Sequence, residues 1–319
     1  MNESHIIKLN AVIPEHLAGK RLDQALALLF SDYSRARIQS WIKNGNVTVN
    51  NKVIKPNSKI HPNQQITIEA SIINKENWAA QAIPLDIIYE DEAIIVVNKP
   101  AGLVVHPAAG NPDKTLLNAL LNYAPELANL PRAGIIHRLD KDTSGLLIIA
   151  RNLKAHTKLI AELQQRKIHR EYEAIVCGVM TAGGLINAPI GRHPKERKRM
   201  AVISSGKIAI TSYRVIQRFH AHTHVKVILE TGRTHQIRVH MAHINYPLVG
   251  DQVYGGRLKL PSGISTELKS SLQNFKRQAL HACCLKLSHP INQKIMEWKT
   301  LPPSDMQQLL HQLSGLNEH

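Results

Sequence analysis

Apolar positions along the chain follow two periods, and each predicts its own kind of element. Leu22, Ala25, Leu26 and Leu29 recur at helical spacing, which predicts a helix over 21–30. A second helix is expected to start at Ser34, as N-cap, with Ile38, Trp41 and Ile42 on its inner face and a stop at Asn44-Gly45. Short strands then follow at Val47-Thr48-Val49, at Val53-Ile54 beyond a turn at Asn50-Asn51, and over 65–69. A polar stretch over 71–81, ended by Ile83-Pro84, sets a boundary near residue 80 and divides 1–80 from 81–319. Past it, strand-like runs are expected over 85–89, 94–97, 135–139, 146–150, 171–176, 208–216 and 225–230. Helices are expected over 116–123, 153–165 and 234–243. The fold class is therefore α+β, with a mixed, mainly antiparallel sheet and a small N-terminal module. No Gly-rich phosphate loop is present, which argues against a doubly wound nucleotide-binding fold.

Four polar clusters interrupt the apolar elements of the larger part. Asn98-Lys99-Pro100-Ala101-Gly102-Leu103 follows a buried-looking strand, and its Lys99 either reaches a phosphate or is simply exposed. The stretch from Gly134 to Arg151 reads as strand, turn, strand, with His137, Arg138, Asp140, Lys141, Asp142 and Thr143 in the turn. In Arg170-Glu171-Tyr172-Glu173, strand alternation turns Tyr172 away from both carboxylates. In the run from Thr231 to Met241, Thr234 can cap a helix whose Ile237, Met241 and Ile244 face inward. Arg238 then lies near that helix's N-terminus, against the dipole, so a specific anionic partner is worth seeking.

Charge narrows the function classes. The 319 residues are 43% hydrophobic, and 40 Lys and Arg against 24 acids give +16, which points to an anionic partner, nucleic acid before membrane. No window approaches the ~20 apolar residues of a membrane span, and the polar N-terminus has no signal-peptide core. Three cysteines without C-x-x-C spacing indicate neither a disulfide framework nor a zinc ribbon, so cytoplasm is the default. Between Lys20 and Glu69 eight Lys or Arg face three acids. The run Arg192-His193-Pro194-Lys195-Glu196-Arg197-Lys198-Arg199 is too polar to pack and is either a solvated charge run or a clamp on RNA phosphates. His220, His222 and His224 alternate and could share a face as metal ligands, but no carboxylate or Cys stands at ligand spacing.

The segments R-L-D-Q-A-L and S-R-A-R-I-Q-S-W-I-K-N-G-N-V-T-V-N-N-K-V resemble the S4 domain, a small RNA-binding module. That resemblance implies that Arg35, Arg37 and Lys43 lie on an RNA-facing helix surface. The ordered set N-K-P-A-G-L, H-R-L-D-K-D-T-S-G-L, R-E-Y and G-R-T-H-Q-I-R-V-H is similar to the RluA-type pseudouridine synthases, and the match runs almost end to end. The resemblance implies the pseudouridine synthase fold and conversion of uridine to pseudouridine in large-subunit ribosomal RNA or its precursor, in the loop of helix 69, without cofactor or metal; no coiled-coil or exposed apolar segment of the sequence calls for a partner chain, so a monomer is the expectation. It also implies Asp140, and not Asp142, as the catalytic carboxylate, with Tyr172 and a paired Arg238 beside it and Arg138 everting the target base. Lys99, Arg192 and Lys195 complete the expected RNA contacts, while Asp142 and Thr143 are expected to shape the turn. Two other classes remain open on the residues alone: a non-catalytic RNA-binding or assembly factor, and a metal nuclease built on the three histidines.

Overall fold

The computed structural model describes residues 6–30, 33, 35–71, 78–108, 110–196, 199–258 and 260–315. Ser34, expected as a cap, and Arg197 and Lys198 of the basic run lie outside them.

The first module is built as the periodicity predicts, with one strand added. β1 (Ile6–Val12), α1 (Leu22–Leu29), α2 (Arg35–Lys43), β2 (Val47–Val49) and β3 (Gln65–Ser71) form two helices on a three-stranded antiparallel sheet of order β1-β3-β2. Leu22, Leu26, Ile38 and Ile42 are buried against Ile66 and Ile68 of the sheet. Asn50 and Asn51 take the positive φ of 48° and 63° that the tight turn after β2 needs. Val53-Ile54 is not a strand. After a single bridge from Lys52 to Val49, the carbonyls of Pro56 and Ser58 instead accept from the N–H groups of Asp23 and Leu22, which open α1 and have no partner inside it. Asp23, wholly buried, accepts from Arg21, Arg35 and Gln39 and ties α1 to α2. Burial opposes its charge, but those hydrogen bonds prevail and lower its pKa to about 2.

Strands and helices of the larger part follow in the order β4 (Ile87–Glu90), β5 (Ile94–Lys99), α3 (Leu116–Tyr123), β6 (Ser144–Ala150), α4 (Leu153–Gln164), β7 (His169–Cys177), β8 (Gly184–Asn187), β9 (Ile190–Arg192), β10 (Met200–Val202), β11 (Ile210–Arg218) and β12 (His222–Leu229). They end with α5 (Gln236–His243), α6 (Thr266–Asn274), β13 (Leu280–Ser288), β14 (Ile295–Lys299) and α7 (Ser304–Ser314). A mixed nine-stranded sheet runs β4-β5-β6-β13-β7-β12-β11-β8, with β14 also on β13, and every pairing is antiparallel except β6 with β13. One face buries Val97, Leu147, Ala174 and Val227 with Leu117 of α3 and Met241 of α5. On the other face, Val96 and Ile148 meet Leu159 of α4, and Ile175 meets Leu272 of α6 and Leu309 of α7.

The expected hairpin through Asp140 is only half formed. Residues 135–139 make no strand, and Ile135 keeps one bridge to Ile149. Strand β6 already has β5 along one edge and β13 at its start, through Ser144 and Gly145. With β13 on the first two residues of that edge, the incoming chain meets it in a bridge only at Ile149 and then turns into the polar cluster.

Candidate active site

The turn Asp140-Lys141-Asp142-Thr143 is fastened from three sides. Its own closure is the Thr143 N–H donating to the Asp140 carbonyl at 3.1 Å. From the end of β5 and the turn after it, Lys99 Nζ and the Gly102 N–H both donate to the Lys141 carbonyl at 2.9 Å. From the chain just before β13, Gln278 Nε2 donates to Thr143 Oγ1 at 3.0 Å, and Arg277 Nη1 donates to the Asp142 carbonyl at 3.4 Å. Lys99 corrects the expectation of a phosphate contact: it is 1% exposed, and Nζ donates to the carbonyls of Pro100, Leu103 and Lys141. Burial pushes its ammonium down to about 7, against the pull of Asp142 and Asp140, and the three carbonyls match its three donors. The residue binds two turns together rather than RNA.

Asp140 faces a cleft of about 910 Å³, lined also by His106, Arg138, Tyr172, His235 and Arg238. Arg238 Nη1 donates to Asp140 Oδ2 at 3.0 Å, which is the anionic partner its place on α5 called for. A second partner escaped the sequence reading. Asp251 accepts from Arg238 Nε at 2.7 Å and Nη2 at 2.9 Å, and Asp251 Oδ1 also accepts the N–H groups of Val253 and Tyr254. Burial works against the charge on Asp251, but the Arg238 hydrogen bonds and charge outweigh it and hold its carboxyl below the usual range. Burial likewise opposes the Arg238 charge, and the two carboxylates overcome it. A signal for Asp251 was present in the polar G-D-Q interruption after Pro247-Leu248-Val249, yet nothing local assigned it a partner.

Tyr172 is buried on the cleft side of β7, while Glu171 and Glu173 point away to Lys226 and His224. Its phenol is pushed above its ordinary range, chiefly by burial. The loop before α5 differs from expectation. Thr234 does not cap the helix; His235 is the N-cap residue, with a left-handed φ of 57°, and makes no side-chain cap. Gln236 sets the entry instead, with Oε1 accepting from the Arg233 N–H and Thr231 Oγ1 and Nε2 donating to the Ile210 carbonyl and Thr211 Oγ1. Beside the turn, the half-buried His137 accepts the Ile148 N–H on Nε2 at 3.3 Å; burial, aided by Arg170, lowers its pKa to about 3.

The basic residues expected at RNA are spread more widely. Arg138 is exposed at the cleft mouth. On α2, Lys43 is exposed and Arg37 is half-buried, whereas Arg35 spends its guanidinium on Asp23 at 2.7 Å and keeps 47% of its side chain exposed. Arg192 ends β9 and Lys195 is exposed in the loop that leads to β10. His224 gives its Nε2 to Glu173 at 3.0 Å, and among the described residues no three His, Cys, Asp or Glu side chains group as metal ligands.

Comparison with known proteins sets this geometry in context. The family described as RNA pseudouridylate synthase matches residues 93–243, and the S4 domain matches residues 20–66. The chain is similar to ribosomal large subunit pseudouridine synthase D of Pseudomonas aeruginosa, 55% identical over 307 residues and covering 96% of each chain. It is similar to the protein of the same name from Escherichia coli K12, 54% identical over 315 residues, covering 98% of this chain and 97% of the relative. Among solved structures, human RNA Pseudouridylate Synthase Domain Containing 4 aligns with a TM-score of 0.57 and 24% identity over 72% of this chain and 93% of its own, a likeness of fold.

Proposed function

The chain belongs to the RNA pseudouridylate synthase family and is an RNA-modifying isomerase; from that premise we propose that it acts on large-subunit ribosomal RNA with Asp140 as its nucleophile. The observation that carries this reading is the Asp140 carboxylate held 3.0 Å from Arg238 in a cleft whose wall includes the buried Tyr172 ring. Isomerisation breaks the bond between N1 and C1′, turns the uracil within the pocket and joins C5 to C1′, so no atom but the C5 proton is exchanged and no redox partner is needed. Asp140 begins it, and Arg238 aims the carboxylate. Tyr172, buried in the cleft wall, presents a flat ring on which the uracil stacks, and either accepts the C5 proton or positions the group that does. Arg138, at the mouth, fills the gap left when the target base leaves its stack.

The names of the relatives support the choice of ribosomal RNA, and the match to the S4 domain supports Arg35, Arg37 and Lys43 as contacts outside the cleft, with Arg192 and Lys195 as a further phosphate grip. The target uridines are those in the loop of helix 69. The unpaired state of Cys177, Cys283 and Cys284 fits work in the reducing cytoplasm. Tritium release from RNA carrying 5-tritiated uridine tests the chemistry: Asp140→Asn is expected to lose about 10³-fold or more in rate, and full turnover by that variant sinks the assignment. Carbodiimide mapping of ribosomal RNA from cells with and without the protein tests the target, since pseudouridine surviving at helix 69 in cells that lack the protein excludes it.

A further inference from the structure

His235 occupies a position that neither the ion pairs nor the helix explains. Its ring lines the cleft, with Nε2 3.9 Å from Asp140 Oδ1, too far for a direct hydrogen bond. Among the described residues Nε2 has no hydrogen-bond partner. Nδ1 lies 2.8 Å from the Tyr254 hydroxyl, which also accepts the Met200 N–H at 2.9 Å. Those contacts favour one position for the imidazole proton. The Tyr254 hydroxyl proton needs an acceptor, and among the described residues the only one it meets is His235 Nδ1. With Nδ1 accepting, the ring proton sits on Nε2 and points into the cleft. Tyr254 is itself held, packed against the Arg238 guanidinium at 5.0 Å and edge-on to His235 at 5.7 Å between ring centroids. Burial pushes the imidazole below its ordinary pKa, with Arg238 and Arg138 adding to that and Asp140 and Asp251 opposing it. A left-handed backbone at a residue other than glycine, maintained here by the loop that Gln236 closes, aims the ring.

We propose that His235 is a further catalytic residue of this isomerase, touching the substrate by donating its Nε2–H to a carbonyl oxygen of the target uracil as the glycosidic bond breaks. The proposal rests on the reading of Asp140 given above. When the bond between N1 and C1′ opens, its electron pair stays on the base, and the negative charge spreads over N1, O2 and O4. O2 is two bonds from N1, so a uridine whose C1′ is within reach of Asp140 brings that oxygen to the same wall of the cleft. The hydrogen bond moves no proton. His235 ends as it began: C5 bonds to C1′ as the bond from Asp140 to C1′ breaks and frees the carboxylate, and the C5 proton is released while N1 takes one up from solvent. A donor set in place before the charge forms acts on the transition state more than on binding.

Single-turnover tritium release with enzyme in excess, together with RNA affinity by filter binding, tests it. His235→Ala is expected to slow the chemical step by about 10²-fold while leaving RNA affinity within about threefold. Added imidazole, which has an N–H to donate, is expected to restore rate to that variant, and 1-methylimidazole is not. An unchanged rate, a loss confined to affinity, or equal rescue by both compounds overturns the proposal. Where His235→Ala does not fold by circular dichroism, His235→Gln and His235→Leu replace it: Gln keeps a donor and is expected to be the faster, and equal rates overturn the proposal. Wild-type release is the control. Without it the reading of the substrate fails and this proposal fails with it, whereas with it an unaffected His235 variant removes this proposal alone.

Discussion

Arg238 carries a full charge on a buried helix turn, and it is tolerated there because two carboxylates face it. Asp251 takes Nε and Nη2, which leaves Nη1 to hold Asp140. Asp251→Asn is expected to cost about 3 kcal/mol of stability by urea denaturation, since one charge of a buried pair is left short of its partner, and to slow turnover as Arg238 loses its orientation. Lost stability with unchanged single-turnover rate would reduce Asp251 to a prop of the fold. At this scale the residues alone marked a polar turn at Asp140 and an arginine set against its helix dipole at Arg238, while the choice of Asp140 over Asp142 and of Tyr172 came only from the family resemblance. The sequence was not legible at Lys99. A lysine in a turn looks the same whether its ammonium meets water or three carbonyls, and only the approach of Leu103 and Lys141 decides which.

Among the elements, β13 controls the geometry of the catalytic turn, because it pairs in parallel with β6 at the two residues that follow the turn. Gly145 makes that approach possible. Its φ is +114°, and a Cβ there would run into the Ala282 carbonyl. Gly145→Ala is therefore expected to lose at least about 3 kcal/mol, from backbone strain and collision together, and to give a lower urea midpoint or little soluble protein. A midpoint within error of wild type would show that the two strands can separate without harm. Elements with a clear helical period, such as α1 and α3, and the continuous apolar run of β6 were readable in advance. Segment 280–288 was not, since both its faces are covered and alternation therefore disappears. The half-formed hairpin before Asp140 and the entry of α5 depended on edges and side chains supplied from far away, by β13 and by β11 through Gln236.

For the whole molecule, charge and burial make separate predictions. If Lys43 and Lys195 contact RNA phosphates, Lys43→Ala and Lys195→Ala each lower the slope of log affinity against log salt by about 0.7 to 1, additively, measured by filter binding; unchanged slopes place the contacts elsewhere. Burial holds His137 down to about 3, and His156 and His222 to about 4, so the folded chain refuses protons that the unfolded chain accepts below ~6.5. Stability is therefore fully present near neutrality and falls as pH drops from about 6.5 toward 4, as urea midpoints at stepped pH will record. A flat profile across that window would mean these rings are hydrated. The sequence by itself determined the α+β class, the basic character and the ordered clusters around Asp140, Tyr172 and Arg238, because hydrophobic period and residue chemistry are local properties. The partnership of Arg238 with Asp251, the withdrawal of Lys99 from the surface and the aim of His235 were decided only by tertiary structure. Each depends on groups separated along the chain, and a hydrogen bond or a desolvated charge exists only once folding has brought both partners together.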